Sequence, residues 1–191
     1  MKNSINGLKT FTSGNPKNQS IIFVHGFPYD HTMWDKQVDF FKNDYFCVTY
    51  DIRGLGESFV GDGQYTMEKY VEDLFLIIEE LKLIKPILCG LSMGGYLSFR
   101  ALEVNQNIFK SAIFCDTKSQ SDTDEIKLVR ANKIKQINEE GLEAFVEDFV
   151  PVCFSNDFIN KGKFSFIFQI YTNAFFTSIY CLKKCRLLPY F

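Results

Sequence analysis

The sequence predicts an α/β fold, a mostly parallel, doubly wound sheet with helices on its faces. Short apolar runs typical of buried strands alternate with segments in which apolar residues recur at helical spacing. Glycine-rich or polar clusters follow several of these runs directly, as at the carboxyl ends of parallel strands. The alternation of strands and helices stops near Asp122. After it, apolar residues recur at helical spacing among charged residues, and no strand is predicted between them. These observations together favour a sheet-based domain followed by helices.

The first predicted elements are two strands, a helix and a third strand. Residues 8–12 alternate as in a half-buried strand, and residues 13–16 have the composition of a turn. The continuous apolar run 21–24 is typical of a strand buried on both faces. Apolar residues at helical spacing predict a short helix over 30–43, and residues 45–50 predict the next strand.

Two further strands and two further helices complete the predicted sheet domain. Thr66 is a good N-cap for a helix whose apolar stripe consists of Met67, Tyr70, Val71, Leu74, Ile77, Ile78 and Leu81. The run 86–89 predicts a strand, residues 95–102 a helix, and residues 111–115 another strand that ends at Asp116.

We expect the chain to have three parts. Residues 1–118 form the core, residues 119–160 begin a lid of two or three helices, and residues 161–191 form an aromatic tail. The net charge of -2 argues against a partner that is a nucleic acid or an anionic membrane. The 6 cysteines show no C-x-x-C spacing, and the amino terminus has no stretch of signal-peptide length. We therefore expect a cytoplasmic protein with reduced thiols and neither metal nor cofactor.

The pentapeptide Gly90-Leu91-Ser92-Met93-Gly94 fits a nucleophile elbow, G-x-S-x-G between a strand and a helix. A side chain at Gly90 or Gly94 would collide with the neighbouring strand or helix. The turn would hold the Ser92 hydroxyl clear of the sheet at the positive end of a helix. Ser92 is therefore the predicted nucleophile.

Four motifs, in order and spacing, resemble the α/β-hydrolase family. They are His25-Gly26-Phe27-Pro28, the run from Asp51 to Ser58, the run from Gly90 to Gly95, and Cys115-Asp116-Thr117-Lys118 with Ser121-Asp122-Thr123. The last motif resembles the branch that contains 3-oxoadipate enol-lactonases, small esterases and cofactor-free haloperoxidases. The resemblance covers about residues 5–158.

The resemblance implies acyl transfer on a small-molecule ester or lactone. Ser92 matches the nucleophile, and the backbone N–H groups of Phe27 and Met93 match the oxyanion hole. The residues that would support the site structurally are His25, Gly26, Gly90, Gly94, Asp51 and Arg53.

The family's catalytic acid and histidine follow the lid, and this chain has no histidine there. Its 2 histidines, His25 and His31, both precede Ser92. The resemblance implies that His25 braces the oxyanion loop, and His31 is placed near the pocket rim. Asp116 occupies a position where some members keep the acid, although a loop-capping role is favoured. We therefore expect hydrolysis near background, with a non-catalytic small-molecule-binding relative as the alternative.

The tail departs from the family pattern. No acidic residue follows Asp157, and the charge-free run from Phe164 to Leu182 lies between basic residues. This run suggests a membrane-tethered fragment as a second alternative, but its amide and hydroxyl side chains disfavour a span. The favoured explanation is a change of reading frame or gene-model error near residue 160. Loss of the family's last two strands would leave residues 111–115 as an exposed sheet edge.

Overall fold

The computed structural model describes residues 1–60, 63, 65–153 and 157. The chain divides into two compact units, Met1–Ser119 and Gln120–Phe191, and each is described by itself. The aromatic tail predicted at 161–191, and with it the membrane-span alternative, lies outside the described residues.

The first unit contains a six-stranded sheet in the order β1-β2-β4-β3-β5-β6. The strands are β1 Lys2–Ile5, β2 Leu8–Ser13, β3 Ser20–Val24, β4 Phe46–Tyr50, β5 Ile87–Leu91 and β6 Ser111–Cys115. Strands β4, β3, β5 and β6 are mutually parallel, whereas β1 and β2 join the sheet antiparallel. The predicted α/β class with a mostly parallel sheet is thus confirmed.

The first unit has three described α-helices. The first follows β3, the second lies between β4 and β5, and the third follows β5. They are α1 Asp35–Phe41, α2 Met67–Glu80 and α3 Met93–Asn105, with short 3-10 segments at His31–Trp34 and Gln106–Ile108. As predicted, Thr66 caps α2, since its side chain accepts a hydrogen bond from the Lys69 N–H. Five members of the predicted apolar stripe of α2 are buried, and the buried face also contains a charged residue outside that stripe, Asp73.

Strand β1 is the element that the sequence analysis missed. It forms a hairpin with β2 in which Ile5 pairs with Leu8, leaving Asn6 and Gly7 as a two-residue turn. Both turn residues have positive φ, 47° and 85°. Asn-Gly is the dipeptide that such tight hairpins favour, so the signal was present in the sequence.

The core lies around β3, all of whose residues are buried. Ile21 and Phe23 pack with Trp34, Cys47 and Cys89 in one apolar cluster. The two thiols in it are free. Burial raises the pKa of Cys47 to about 11. These cysteines behave as small apolar side chains at neutral pH.

The second unit contains two described helices, α4 Asp124–Glu140 and α5 Leu142–Val152. Thr123 caps α4 by accepting a hydrogen bond from the Ile126 N–H, and Gly141 separates the helices with φ 93°. Among the described residues, no helix combines the length and apolar character needed to cross a membrane.

A buried ion pair ties the loop after β4 to α2. Arg53 Nε and Nη2 each lie 2.6 Å from a carboxylate oxygen of Asp73, a bidentate arrangement. Both side chains are almost inaccessible to solvent. Removal of either partner would leave the other charge buried.

We predict that Asp73→Ala lowers the free energy of unfolding by about 3–5 kcal/mol, because Arg53 would lose its buried counter-charge. Urea denaturation measures the change. Asp39→Ala, which breaks an exposed ion pair with Lys42, is the matched control and should leave the urea midpoint unchanged. Equal shifts in the two variants would contradict this account of the Arg53–Asp73 pair.

Strand β6 forms one edge of the described sheet. It pairs with β5, and no other described strand pairs with it. Ile113 is 48% exposed and Phe114 is 39% exposed, although the Phe114 ring stacks on Phe99. Exposed apolar edges with unpaired backbone groups favour association between chains.

We predict that Ile113→Lys reduces concentration-dependent association, because a charged side chain on an edge opposes strand pairing. Light scattering over a concentration series measures it. Val104→Lys replaces a similarly exposed apolar residue on α3, whose backbone groups pair within the helix, and should have a smaller effect. If both variants reduce association equally, backbone pairing at β6 is not its cause.

Candidate active site

Ser92 occupies a strained turn between β5 and α3. Its backbone dihedral angles are φ 50° and ψ -114°, a conformation that residues with a Cβ rarely adopt. The last residue of β6 and the loop that follows it hold this turn at two points. The Ser92 N–H donates to the Cys115 carbonyl at 3.0 Å, and the Thr117 hydroxyl donates to the Ser92 carbonyl at 2.9 Å.

Two glycines let helix α3 approach the sheet closely enough to form this turn. A Cβ at Gly94 would lie 2.3 Å from the Val24 carbonyl oxygen, at the end of β3. One at Gly90 would lie 2.4 Å from the Gly94 carbonyl oxygen and 2.5 Å from the Ser98 hydroxyl. All three distances are too short for any Cβ, so the turn requires glycine at these positions.

The loop that follows β3 lies directly beside Ser92. A Cβ at Gly26 would be 3.3 Å from the Ser92 Cβ. The Tyr29 N–H donates to the Gly26 carbonyl at 3.0 Å, which closes a turn around Phe27. Met93 is the first residue of α3, where backbone N–H groups have no partner within the helix. Gly26 thus lies against Ser92, and Phe27 is the next residue of the same loop.

His25 is fully buried, and both of its ring nitrogens contact backbone groups. Nε2 accepts a hydrogen bond from the Ile52 N–H at 3.0 Å, so Nδ1 carries the proton and donates to the Gly26 carbonyl at 3.0 Å. Burial lowers the pKa of His25 and outweighs the neighbouring carboxylates. The neutral ring therefore joins the loops after β3 and β4, and neither nitrogen is available to a nucleophile.

His31 is bonded to Asp51, the residue that follows β4. The Asp51 Oδ1 accepts from the His31 N–H at 2.8 Å and from its Nδ1 at 2.7 Å. The imidazole stacks on Phe11 of β2 with ring centroids 3.5 Å apart. Partial burial of the His31 ring opposes its protonation. The hydrogen bond to Asp51 and the charge of that carboxylate outweigh the burial, so the pKa of His31 is raised.

The fold keeps His31 apart from Ser92. Phe11 lies on β2 and Ser92 follows β5, and the sheet order places β4 and β3 between those strands. At roughly 4.8 Å per neighbouring strand, strands β2 and β5 lie about 14 Å apart. Asp116, the other predicted alternative, follows β6 with φ 40°. Thus the structure brings Gly26 against Ser92, with Phe27 next along the same loop and Met93 next to Ser92 in the chain, whereas the hydrogen bonds of both histidine rings go to other residues.

Asp30, His31 and Asp51 are close enough to resemble a metal site, with one ligand atom of each within 4.8 Å of the others. Protein donors already serve their oxygens. Asp30 Oδ1 accepts from the Thr32 N–H and hydroxyl, and Asp51 Oδ2 accepts from the Glu57 N–H at 2.8 Å. The cluster is therefore explained by hydrogen bonds within the protein.

Sequence reasoning missed two contributors to this region. Asp73, the partner of Arg53, lies on the buried face of α2. In the sequence, the only indication of its role is an acidic residue among the apolar residues of that face. Phe11 stacks on His31, which is far from it in the sequence, so no local pattern indicates the contact.

A groove of about 900 Å³, lined in part by Ser20 and Phe46, lies at the amino ends of the strands, opposite the end that carries Ser92.

We predict that His25→Ala lowers the free energy of unfolding by about 3 kcal/mol, because the Ile52 N–H would lose its partner and a cavity would form. His25→Gln should recover part of the loss, since an amide oxygen can accept that hydrogen bond. Because burial lowers the pKa of His25, the neutral ring contributes fully to the free energy of unfolding above about pH 6.5. This contribution is lost as the pH falls from 6.5 toward the pKa that His25 has in the folded protein.

Urea denaturation of the wild type and both variants between pH 5 and 8 measures these effects. The wild type should lose stability below about pH 6.5 more steeply than His25→Gln. Identical pH profiles would show that the His25 ring does not carry this acid sensitivity.

Comparison with known proteins places this geometry in a family. A family model described as "alpha/beta hydrolase fold" matches residues 19–152. The 3-oxoadipate enol-lactonase 2 of Acinetobacter baylyi is 26% identical over 156 residues, which cover 81% of this chain and 57% of that protein. Enol-lactonase 1 of the same organism is 41% identical over 81 residues, covering 42% of this chain and 30% of its own length.

Solved structures give the same result. A thermophilic esterase from Thermogutta terrifontis is 31% identical with a TM-score of 0.71, and the match covers 79% of this chain and 58% of that chain. The enol-lactonase of Burkholderia xenovorans matches in fold with a TM-score of 0.80 at 22% identity, over 99% of this chain and 73% of its own. The chain spans 57% of the length of enol-lactonase 2. It belongs to the α/β-hydrolase family.

Proposed function

We propose that this chain carries the acyl-transfer centre of a serine hydrolase that acts on carboxylic ester or lactone bonds, with Ser92 as the nucleophile. The observation that carries the proposal is the strained Ser92 turn with Gly26 packed directly against it. This supports a serine side chain held at the start of α3 beside the loop that carries Phe27, in a conformation of the kind that clusters at active sites.

In the proposed reaction, Ser92 Oγ attacks the carbonyl carbon and its proton passes to a base. The electrons of the C=O bond move to the oxygen, which becomes negative. The N–H groups of Phe27 and Met93 stabilise this oxyanion, and loss of one such donor typically costs on the order of a hundredfold or more in rate. The oxyanion then re-forms the C=O bond as the bond to the leaving oxygen breaks, and that oxygen takes the proton from the base. An acyl-Ser92 ester remains, which water hydrolyses.

The base is the missing component. Both nitrogens of His25 are bonded to backbone groups, and His31 is bonded to Asp51 at the end of β4, which β3 separates from β5. A serine without a base in hydrogen-bond reach is a poor nucleophile. We therefore propose that the 191-residue chain hydrolyses esters near background.

The substrate class follows from the relatives. Two are named as 3-oxoadipate enol-lactonases and one solved structure is an esterase. A small-molecule ester or lactone is accordingly the proposed substrate. Helices α4 and α5 are the proposed beginning of a lid, and the cytoplasm is the proposed location.

A non-catalytic binding protein is the second candidate. The observation that favours it is that both histidines are fixed by interactions away from Ser92 while the Ser92 turn is intact. Such a protein would bind a small ester or lactone without turning it over.

We predict that an external base activates Ser92. A fluorophosphonate probe should label the chain slowly alone and at least tenfold faster with added imidazole, because imidazole can take the Ser92 proton. Intact-mass and peptide spectrometry locate the adduct. Ser92→Ala should show no adduct at this site, and Ser98→Ala, which changes a buried hydroxyl of α3, is the matched control.

Each outcome decides between the candidates. Imidazole-dependent labelling of Ser92 supports the acyl-transfer centre without its base. Rapid ester turnover without imidazole that Ser92→Ala abolishes would contradict the proposed lack of a base. Absence of labelling, together with saturable binding of an ester in calorimetry, would favour the binding protein.

A further inference from the structure

The loop that carries Phe27 is attached to the loop after β4 at both of its ends. At its start, the His25 Nε2 accepts from the Ile52 N–H. At its other end, the His31 N–H and Nδ1 donate to the carboxylate of Asp51. The two anchors, Asp51 and Ile52, are consecutive residues.

We propose that the His31–Asp51 pair is a positioning element of the oxyanion hole, which fixes the second end of the loop that presents the Phe27 N–H to Ser92. The inference rests on the proposed function for its consequence in catalysis. The attachment itself can be measured without any reaction. His31 and Asp51 are positioning residues, since they act through the loop.

Asp51 is a rigid anchor. Its side chain is fully buried, and its Oδ2 accepts from the Glu57 N–H. The Ser58 hydroxyl donates to its backbone carbonyl at 2.5 Å. A Cβ at Gly56 would lie 2.4 Å from the Asp51 carboxyl group, so the following turn packs directly on it. A group bonded to Asp51 is therefore held in one place.

The other attachment stabilises the start of the loop but not its end. His25 and Tyr29 both donate to the Gly26 carbonyl, which orders the turn around Phe27 from its first residue. After Tyr29, the His31–Asp51 pair attaches the other end of the loop to the residues that follow β4. Loss of that pair would remove this attachment, and the turn that carries the Phe27 N–H would be held less firmly.

The surroundings of His31 are mostly acidic. Asp51, Asp30 and Asp35 favour its protonated form. The opposing groups are neutralised or distant: His25 stays neutral because burial lowers its pKa, and Lys2 lies beyond the Phe11 ring, 5.6 Å from the ring centroid.

The sign of the pH dependence follows from these groups. The pKa of His31 in the folded protein is raised, although burial opposes this. The pair with Asp51 therefore contributes fully to stability below about pH 6.5, and this contribution is lost as the pH rises through the raised pKa. The pKa of Asp51 is lowered despite burial, because His31 and backbone N–H groups bond its charged form. The attachment should therefore be strongest in mildly acidic solution.

Hydrogen exchange of the Tyr29 amide, which closes the Phe27 turn, tests the proposal in the full chain. At pH 6, His31→Ala should lower its protection factor by about tenfold or more, since a hydrogen bond to a charged group is lost. His31→Asn should restore much of the protection, because the asparagine amide nitrogen can take the place of Nδ1. Wild-type protection should fall between pH 6 and 8, and that of His31→Asn should not.

The Tyr70 amide, which donates to the Thr66 carbonyl in α2, is the internal control and should be unchanged. Unaltered Tyr29 protection in His31→Ala would overturn the proposal. If that variant does not fold, identical pH profiles of the wild type and His31→Asn would overturn it equally.

A second readout separates this inference from the proposed function. Imidazole-dependent phosphonate labelling of Ser92 should slow in His31→Ala by the same factor as the loss of protection and recover in His31→Asn. If the wild type is never labelled, the proposed function fails while the exchange result still decides the attachment. If labelling is unchanged although protection falls, the pair does not position the oxyanion hole.

Discussion

The close contact between the start of α3 and the end of β3 is the constraint on which the rest of the site depends. Gly94 lies so near the carbonyl oxygens of Val24 and His25 that any Cβ would overlap them. This contact forces the chain to turn sharply at Ser92 into a conformation that is unfavourable for a residue with a side chain. The surrounding loops must stabilise that turn, and Thr117 and Cys115 do so through its two peptide groups.

The same crowding explains why the histidines are structural. Where the loops after β3 and β4 meet, buried backbone groups need partners that are rigid and can both accept and donate. The neutral imidazole of His25 does this for Ile52 and Gly26. A ring held in this way cannot also rotate toward a nucleophile. A histidine close to a serine is therefore evidence of a base only if one of its ring nitrogens has no other hydrogen-bond partner.

Much of the fold was predictable because its signals are local. Apolar runs predicted the central strands, and Thr66 predicted the start of α2. The Ser92 turn was predictable because sterics demand glycine on both sides of it. The His31–Asp51 bond and its stacking on Phe11 were not, since they join residues of three separate segments. The β1 hairpin was a different failure: its Asn6-Gly7 signal was present, but no strongly apolar run accompanied it.

The described interactions that hold the Ser92 turn lie within the first compact unit. They come from the loop after β3, the end of β6 and the loop that follows β6, and each is a hydrogen bond to a backbone group or a direct steric contact. A base would contact the serine hydroxyl and an orienting acid would contact that base, whereas these interactions hold the backbone of Ser92. The strain at Ser92 is therefore sustained without any group that would activate it. In this fold, holding a serine in a strained turn and activating its hydroxyl are separable physical tasks, and the described interactions perform the first.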